Sequence, residues 1–162
     1  MKKTIIIVLL FIFSGAGKLL AQEKDSVVTL PAITVRAGTI VSAEVNKAFK
    51  KAFPEAKKLK WYNLNKDYLA KFIENDMKQH ALFSKEGNMI YNVSYGYEKN
   101  LPEEVRSKIT ETYPDYKITN TANVKQSNRD IWVINLESDK SIMIVRFEDG
   151  DVGEINSYKK SM

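Results

Sequence analysis

Residues 42–54 read SAEVNKAFKKAFP, and residues 100–114 read NLPEEVRSKITETYP. In the first stretch Val45, Ala48, Phe49, Ala52 and Phe53 fall at i, i+3, i+4, i+7 and i+8, the spacing that lines one side of a helix with apolar residues. Ser42 stands where an N-cap belongs, and Pro54 lies just past the end. In the second stretch Pro102 sits in the first turn, with Glu103 and Glu104 near the positive end of the helix dipole. Leu101, Val105, Ile109 and Tyr113 mark its buried side, and Pro114 follows. Each stretch predicts one amphipathic helix.

Outward from each helix the period falls to two. After the first come Leu59 and Trp61, a run over 68–73 (YLAKFI), a turn at Asn75-Asp76, and a run over 79–83 (QHALF). Ser84-Lys85-Glu86-Gly87 turns again, and Met89, Tyr91, Val93, Tyr95 and Tyr97 alternate with mostly small or polar partners. After the second helix, runs at 131–136 and 142–147 are joined by a polar turn, and 152–158 supplies a closing strand. The order recurs position by position. Phe53-Pro54 maps on Tyr113-Pro114 at an offset of 60; Tyr68, Ala70, Phe72 and Phe83 map on Trp132, Ile134, Leu136 and Phe147 at 64. This predicts an α+β fold of two tandem helix-plus-antiparallel-meander repeats, about 42–98 and 99–160. The repeats share one continuous sheet, with both helices on one face. Alternation assigns Tyr68, Tyr91, Tyr95 and Trp132 to the core beneath the helices.

The N-terminus has the regional order of a secretory signal peptide: Lys2-Lys3, an apolar run from Ile5 to Phe13, then small residues ending at Ala21. The run is about half the roughly 20 residues that a bilayer span needs, so residues 1–21 read as a cleaved signal, with no stable membrane insertion afterwards. Cleavage is placed after Ala21, although Leu19 is larger than the usual residue three positions before the cut. The chain has no cysteine, which excludes a lipid-modified cysteine anchor and disulfides alike. Residues 22–41 carry Pro31 within an alternating stretch and read as a linker or edge strand outside the core; 42–162 forms the domain. Of the formal net charge of +5, Lys2, Lys3 and Lys18 belong to the signal, which removes the main support for a nucleic-acid partner.

In residues 42–158 the chain resembles the β-lactamase-inhibitor-like, PepSY-like domain family of exported Bacteroidetes-type proteins. The resemblance is carried by Val45-x-x-Ala48-Phe49-x-x-x-Phe53-Pro54, Trp61, the strand through Tyr68, Ala70 and Phe72, Phe83-x-x-x-Gly87, Leu101-Pro102-x-x-Val105 and Tyr113-Pro114. It implies a periplasmic or secreted binding module, by analogy with inhibitors that grip an enzyme with an aromatic-rich concave sheet. No inhibitory loop matches residue by residue, so inhibition of a β-lactamase is not implied.

Chemistry is sparse. No Gly-x-Ser-x-Gly elbow or His-Glu-x-x-His helix is present, and His80 is the one histidine; it alternates with Leu82 and reads as a surface residue. No catalytic residue, cofactor or metal is expected, and the chain is read as a non-enzyme. Glu148-Asp149-Gly150-Asp151-x-x-Glu154 departs from EF-hand spacing and reads as a solvated turn. Lys47, Lys50, Lys51, Lys57, Lys58 and Lys60 read as a solvated face along and after the first helix. The expected function is noncatalytic recognition of an exported or envelope protein or peptide through the sheet face that the helices leave open, at Tyr62, Leu69, Lys71, His80 and Leu82. The alternative is an envelope accessory protein that binds a small ligand or metal as a sensor or carrier.

Overall fold

The computed structural model describes residues 35–161. Residues 1–21, read above as a signal, and 22–34 of the segment read as a linker or edge strand lie outside them. Among the described residues there are two α-helices and nine strands, and the strands join in one antiparallel sheet in chain order. A three-residue strand, β1 (Val35–Ala37), forms one edge and pairs with β2 (Lys57–Leu64). Then follow β3 (Asp67–Glu74), β4 (Met77–Phe83), β5 (Met89–Gly96), β6 (Lys117–Gln126), β7 (Arg129–Glu137), β8 (Ser141–Glu148) and β9 (Asp151–Lys159). Helix α1 (Ala43–Ala52) lies between β1 and β2, and α2 (Glu103–Thr112) between β5 and β6.

Helix α1 begins and ends where its sequence dictates. The Ser42 hydroxyl accepts the Val45 N–H at 3.3 Å, and the Phe53 N–H closes α1 on the Phe49 carbonyl at 2.8 Å. Pro102 is the N-cap of α2 rather than a residue of its first turn, and a 3-10 turn at Glu98–Asn100 leads into it. The hairpins are tight for a local reason. Asn75 and Asp76 both take positive φ, 52° and 60°, and so do Asp149 and Gly150, 53° and 84°. Two consecutive left-handed residues match the twist of the strands they join.

Gly87 has a further constraint. Its φ is +85°, and a Cβ there would lie 3.1 Å from the Glu44 carbonyl oxygen, so the β4–β5 turn closes against the first turn of α1. Gly150, at φ +84°, has open space around the same position. Alanine at Gly150 is therefore expected to cost only backbone strain, about 1–2 kcal/mol. Alanine at Gly87 should cost clearly more, because helix and turn must separate; paired urea denaturation curves measure the difference.

Two hydrophobic clusters form the core. Val45, Phe49 and Phe53 of α1 pack on Ala70, Phe72, Ala81 and Phe83, with Trp61 and Tyr68 partly buried against them. Leu101, Val105 and Ile109 pack on Ile134, Leu136, Val145 and Phe147, with Trp132 and Ile118 beside them. The pairing register runs from one cluster to the other as Phe72↔Gln79↔Ser94↔Asn123↔Trp132↔Phe147. Directly paired residues point to the same side of a sheet, so both clusters lie on one face and the polar residues between them belong to it.

That middle strip corrects the expected parity of β5. Tyr91 and Tyr95 were assigned to the core, yet Tyr91 pairs with Leu82 and Tyr95 with Lys78, on the face opposite the clusters, and Tyr95 is 45% exposed. Asn92 and Ser94 turn inward instead and are buried with Gln79, Thr121 and Asn123. A register shift after Leu82 is the physical reason: Phe83 pairs with Met89 while Leu82 pairs with Tyr91, so the inserted residue switches the side each β5 residue faces. Strand β6 was not anticipated, because polar Thr121 and Asn123 occupy its interior positions and hide its alternation.

Candidate functional site

The strip of buried polar groups is hydrogen-bonded internally. Asn92 Nδ2 donates to Gln79 Oε1 at 3.0 Å, and the Ser94 hydroxyl donates to the same oxygen at 3.1 Å. Gln79 Nε2 reaches the Glu74 carboxylate at 3.4 Å, and Asn123 Nδ2 donates to Asp130. Asn92 Oδ1 alone is buried with no partner among the described residues. This strip floors a recess of about 440 Å³ whose walls include Phe53, Met77, Met89 and Trp132. A larger recess, about 700 Å³, lies at the β7–β8 turn, where Tyr116 and Ser141 bond each other at 2.8 Å; it holds none of the anticipated residues.

The face opposite the clusters brings the anticipated residues together. Its register places Tyr62 beside Leu69, Leu69 beside Leu82, and Lys71 beside His80. The Lys71 ammonium sits 4.9 Å from the centre of the Tyr62 ring, within cation–π range. The His80 and Tyr95 rings meet edge to face at 5.1 Å. Leu82 differs from the rest: flanked by Leu69 and Tyr91 on adjacent strands, it is only 8% exposed and supports this surface from beneath. Tyr91 and Tyr95 belong to the face as well. Sequence reasoning missed them for the parity reason above, since only the register shift reveals their side. Beside His80 and Tyr95 a groove of about 500 Å³ opens between Lys78 and Tyr97.

Electrostatics on this face follow from that packing. Burial, and then the nearby Lys71 charge, holds the His80 pKa below its ordinary value of 6.5. Burial raises the Tyr91 hydroxyl, and Tyr95 adds to the shift. The unfolded chain therefore takes up the His80 proton more readily than the folded one. The stability His80 contributes is full above about pH 6.5 and is lost as pH falls through the lower folded value. Lys71→Met is expected to raise the His80 midpoint seen by NMR of the ring protons; an unmoved midpoint would leave burial as the sole cause.

The acidic stretch near 148–154 is a hairpin turn committed elsewhere. Glu148 is gripped by Arg129 at 2.6 and 2.9 Å and by Arg146 at 2.7 Å, and those bonds, from Arg129 above all, hold its pKa below the usual range. Glu154 pairs with Val145, on the other face of the sheet. Among the described residues no group of three His, Cys, Asp or Glu side chains is arranged to hold a metal ion, and no helix is long and apolar enough to cross a membrane.

No protein-family model matches the chain, and no curated protein matches it at a significant level. Solved structures do. A BLIP-like protein from Bacteroides fragilis superimposes with a TM-score of 0.60 at 20% identity, over 75% of this chain and 87% of its own. A DUF2874 family protein from Bacteroides ovatus gives 0.58 at 19%, over 75% and 89%. The chain has the BLIP-like fold. A protein from Bacteroides eggerthii, provisionally described as periplasmic, gives 0.56 at 18%, over 75% and 90%. The resemblance read from the sequence and these neighbours agree on the fold.

Proposed function

We propose that this chain is a noncatalytic, exported recognition module that binds a protein or peptide through the sheet face opposite its two hydrophobic clusters. The observation that carries this reading is the concentration on that face of Tyr62, Leu69, Tyr91 and Tyr95 around His80 and Lys71. Tyrosines with apolar rings and polar tips are common interface anchors. The continuous register from Phe72 to Phe147 supports the architecture behind it: two helix-plus-meander repeats whose helices cover one face and leave the other free. Export rests on the signal-like order of residues 1–21, and the eggerthii neighbour's description favours the periplasm. Domain bounds of 42–162 follow from the repeat.

The test is affinity capture from the native cell envelope with residues 22–162, set against Leu69→Asp and Tyr95→Asp variants shown to fold. Leu82 is left intact, because a carboxylate at so buried a position would unfold the sheet. The reading expects a partner that is retained by the parent, lost by both variants, and bound again when both components are purified. A partner held equally by all three proteins sinks it.

A second reading, a small-ligand carrier, draws on the amide-floored recess and the unpartnered Asn92 Oδ1. It expects a small polar ligand to raise the unfolding midpoint of the parent and not of Asn92→Leu.

A further inference from the structure

The register of the proposed binding face lines up basic residues. Lys60 stands directly opposite Lys71, and Lys71 directly opposite His80, so three basic residues form one row across β2, β3 and β4. Lys78 projects from the same face one position further on, next to Tyr95. The two ammonium groups of Lys60 and Lys71, directly opposed on neighbouring strands, repel each other and oppose folding. In the other half of the molecule basic residues have carboxylate partners: Glu148 binds Arg129 and Arg146, Asp130 binds Lys125 at 3.4 Å, and Glu137 binds Lys160 at 2.7 Å. Lys60, Lys71 and Lys78 have no carboxylate partner among the described residues. Asp67 shares this face at the start of β3, and Asp76 lines the groove with Lys78 and His80, but neither forms an ion pair with these lysines. Lys71 is instead braced on the Tyr62 ring, while the half-buried His80 sits against Tyr95.

We infer that this face is built for an acidic segment of a partner protein, whose Asp or Glu side chains lie along the Lys60–Lys71–His80 row and reach Lys78. The inference rests on the recognition reading above and names the chemistry of its partner. Tyr62 and Tyr95 flank the row and supply apolar contact on either side, while the groove beside His80 admits a side chain rather than a flat surface. The ammonium groups give the partner its charge-assisted hydrogen bonds, and the imidazole, neutral at pH 7, donates one more through its ring N–H. A row kept at some cost to stability is the expected signature of a binding site. Lys71→Met is therefore expected to leave the urea midpoint unchanged or raise it, while weakening recognition.

The test is selection of a random displayed peptide library on residues 22–162. The expected peptides are rich in Asp and Glu, bind less tightly as salt rises, and lose about tenfold or more in affinity against Lys60→Met, Lys71→Met, Lys78→Met together. Selection on Lys71→Glu, Lys78→Glu should no longer favour acidic sequences. Control substitutions of Lys47, Lys50 and Lys51 on α1 should change nothing. Peptides without acidic excess that are nonetheless lost on Leu69→Asp would overturn the acidic partner and leave face recognition standing. Acidic peptides that depend on the α1 lysines overturn the inference. Peptides indifferent to every substitution on this face, or no selected peptides, remove both readings.

Discussion

Phe49→Ala is expected to cost the protein about 3–5 kcal/mol, the range for deleting a fully packed phenylalanine. Phe49 is 3% exposed and stands at the centre of the first cluster. Its ring meets Phe72 edge-on at 5.0 Å, Trp61 at 5.3 Å, Phe53 at 5.4 Å and Phe83 at 6.2 Å. Each aromatic pair adds about 0.5–1.5 kcal/mol beyond area burial. Rings held from four directions cannot collapse into the space a methyl would leave, so the cavity should persist. A domain of this size is stable by only about 5–15 kcal/mol. The urea midpoint should therefore fall steeply with an unchanged slope. A loss under about 1 kcal/mol would contradict this packing.

Ile134→Ala is expected to cost about 2–5 kcal/mol from the second cluster. Ile134 is fully buried on β7, opposite Val145 and beneath α2. Its more telling use is in combination. The two clusters share no residue, and Gln79, Asn92, Ser94 and Asn123 separate them. The milder pair Phe49→Leu and Ile134→Val should therefore add to within about 0.3–0.5 kcal/mol. A single cooperative transition is still expected, because β5 and β6 join the halves through a backbone ladder. A coupling well above that range would mean that the polar strip transmits packing from one cluster to the other.

The candidate surface was half legible. Tyr62, Leu69, Lys71 and His80 sit in strands whose interior positions are apolar, Ala70 with Phe72 and Ala81 with Phe83, so alternation alone puts them on the far side. Tyr91 and Tyr95 were misassigned because β5 offers two alternating sets, aromatic and polar. Hydrophobicity favours burying the aromatic set. The structure buries Asn92 and Ser94, whose hydrogen bonds to Gln79 offset the loss of water. Leu82 was placed on the correct face, but its burial depends on Leu69 and Tyr91 standing on both sides of it.

What the sequence determined by itself is everything set by short spacings. The extents of α1 and α2 follow from apolar periodicity with Ser42, Pro54 and Pro114 as boundaries, and the tight hairpins follow from residues that tolerate positive φ. The matched apolar positions of the two halves likewise come from local patterns, because helix and strand periods act over neighbouring residues. Tertiary structure alone decided which side of β5 faces the core, that polar β6 joins the sheet, and that Lys60, Lys71 and His80 stand in one row. Those features depend on register between strands, and a shift of one residue exchanges every side chain between the two faces.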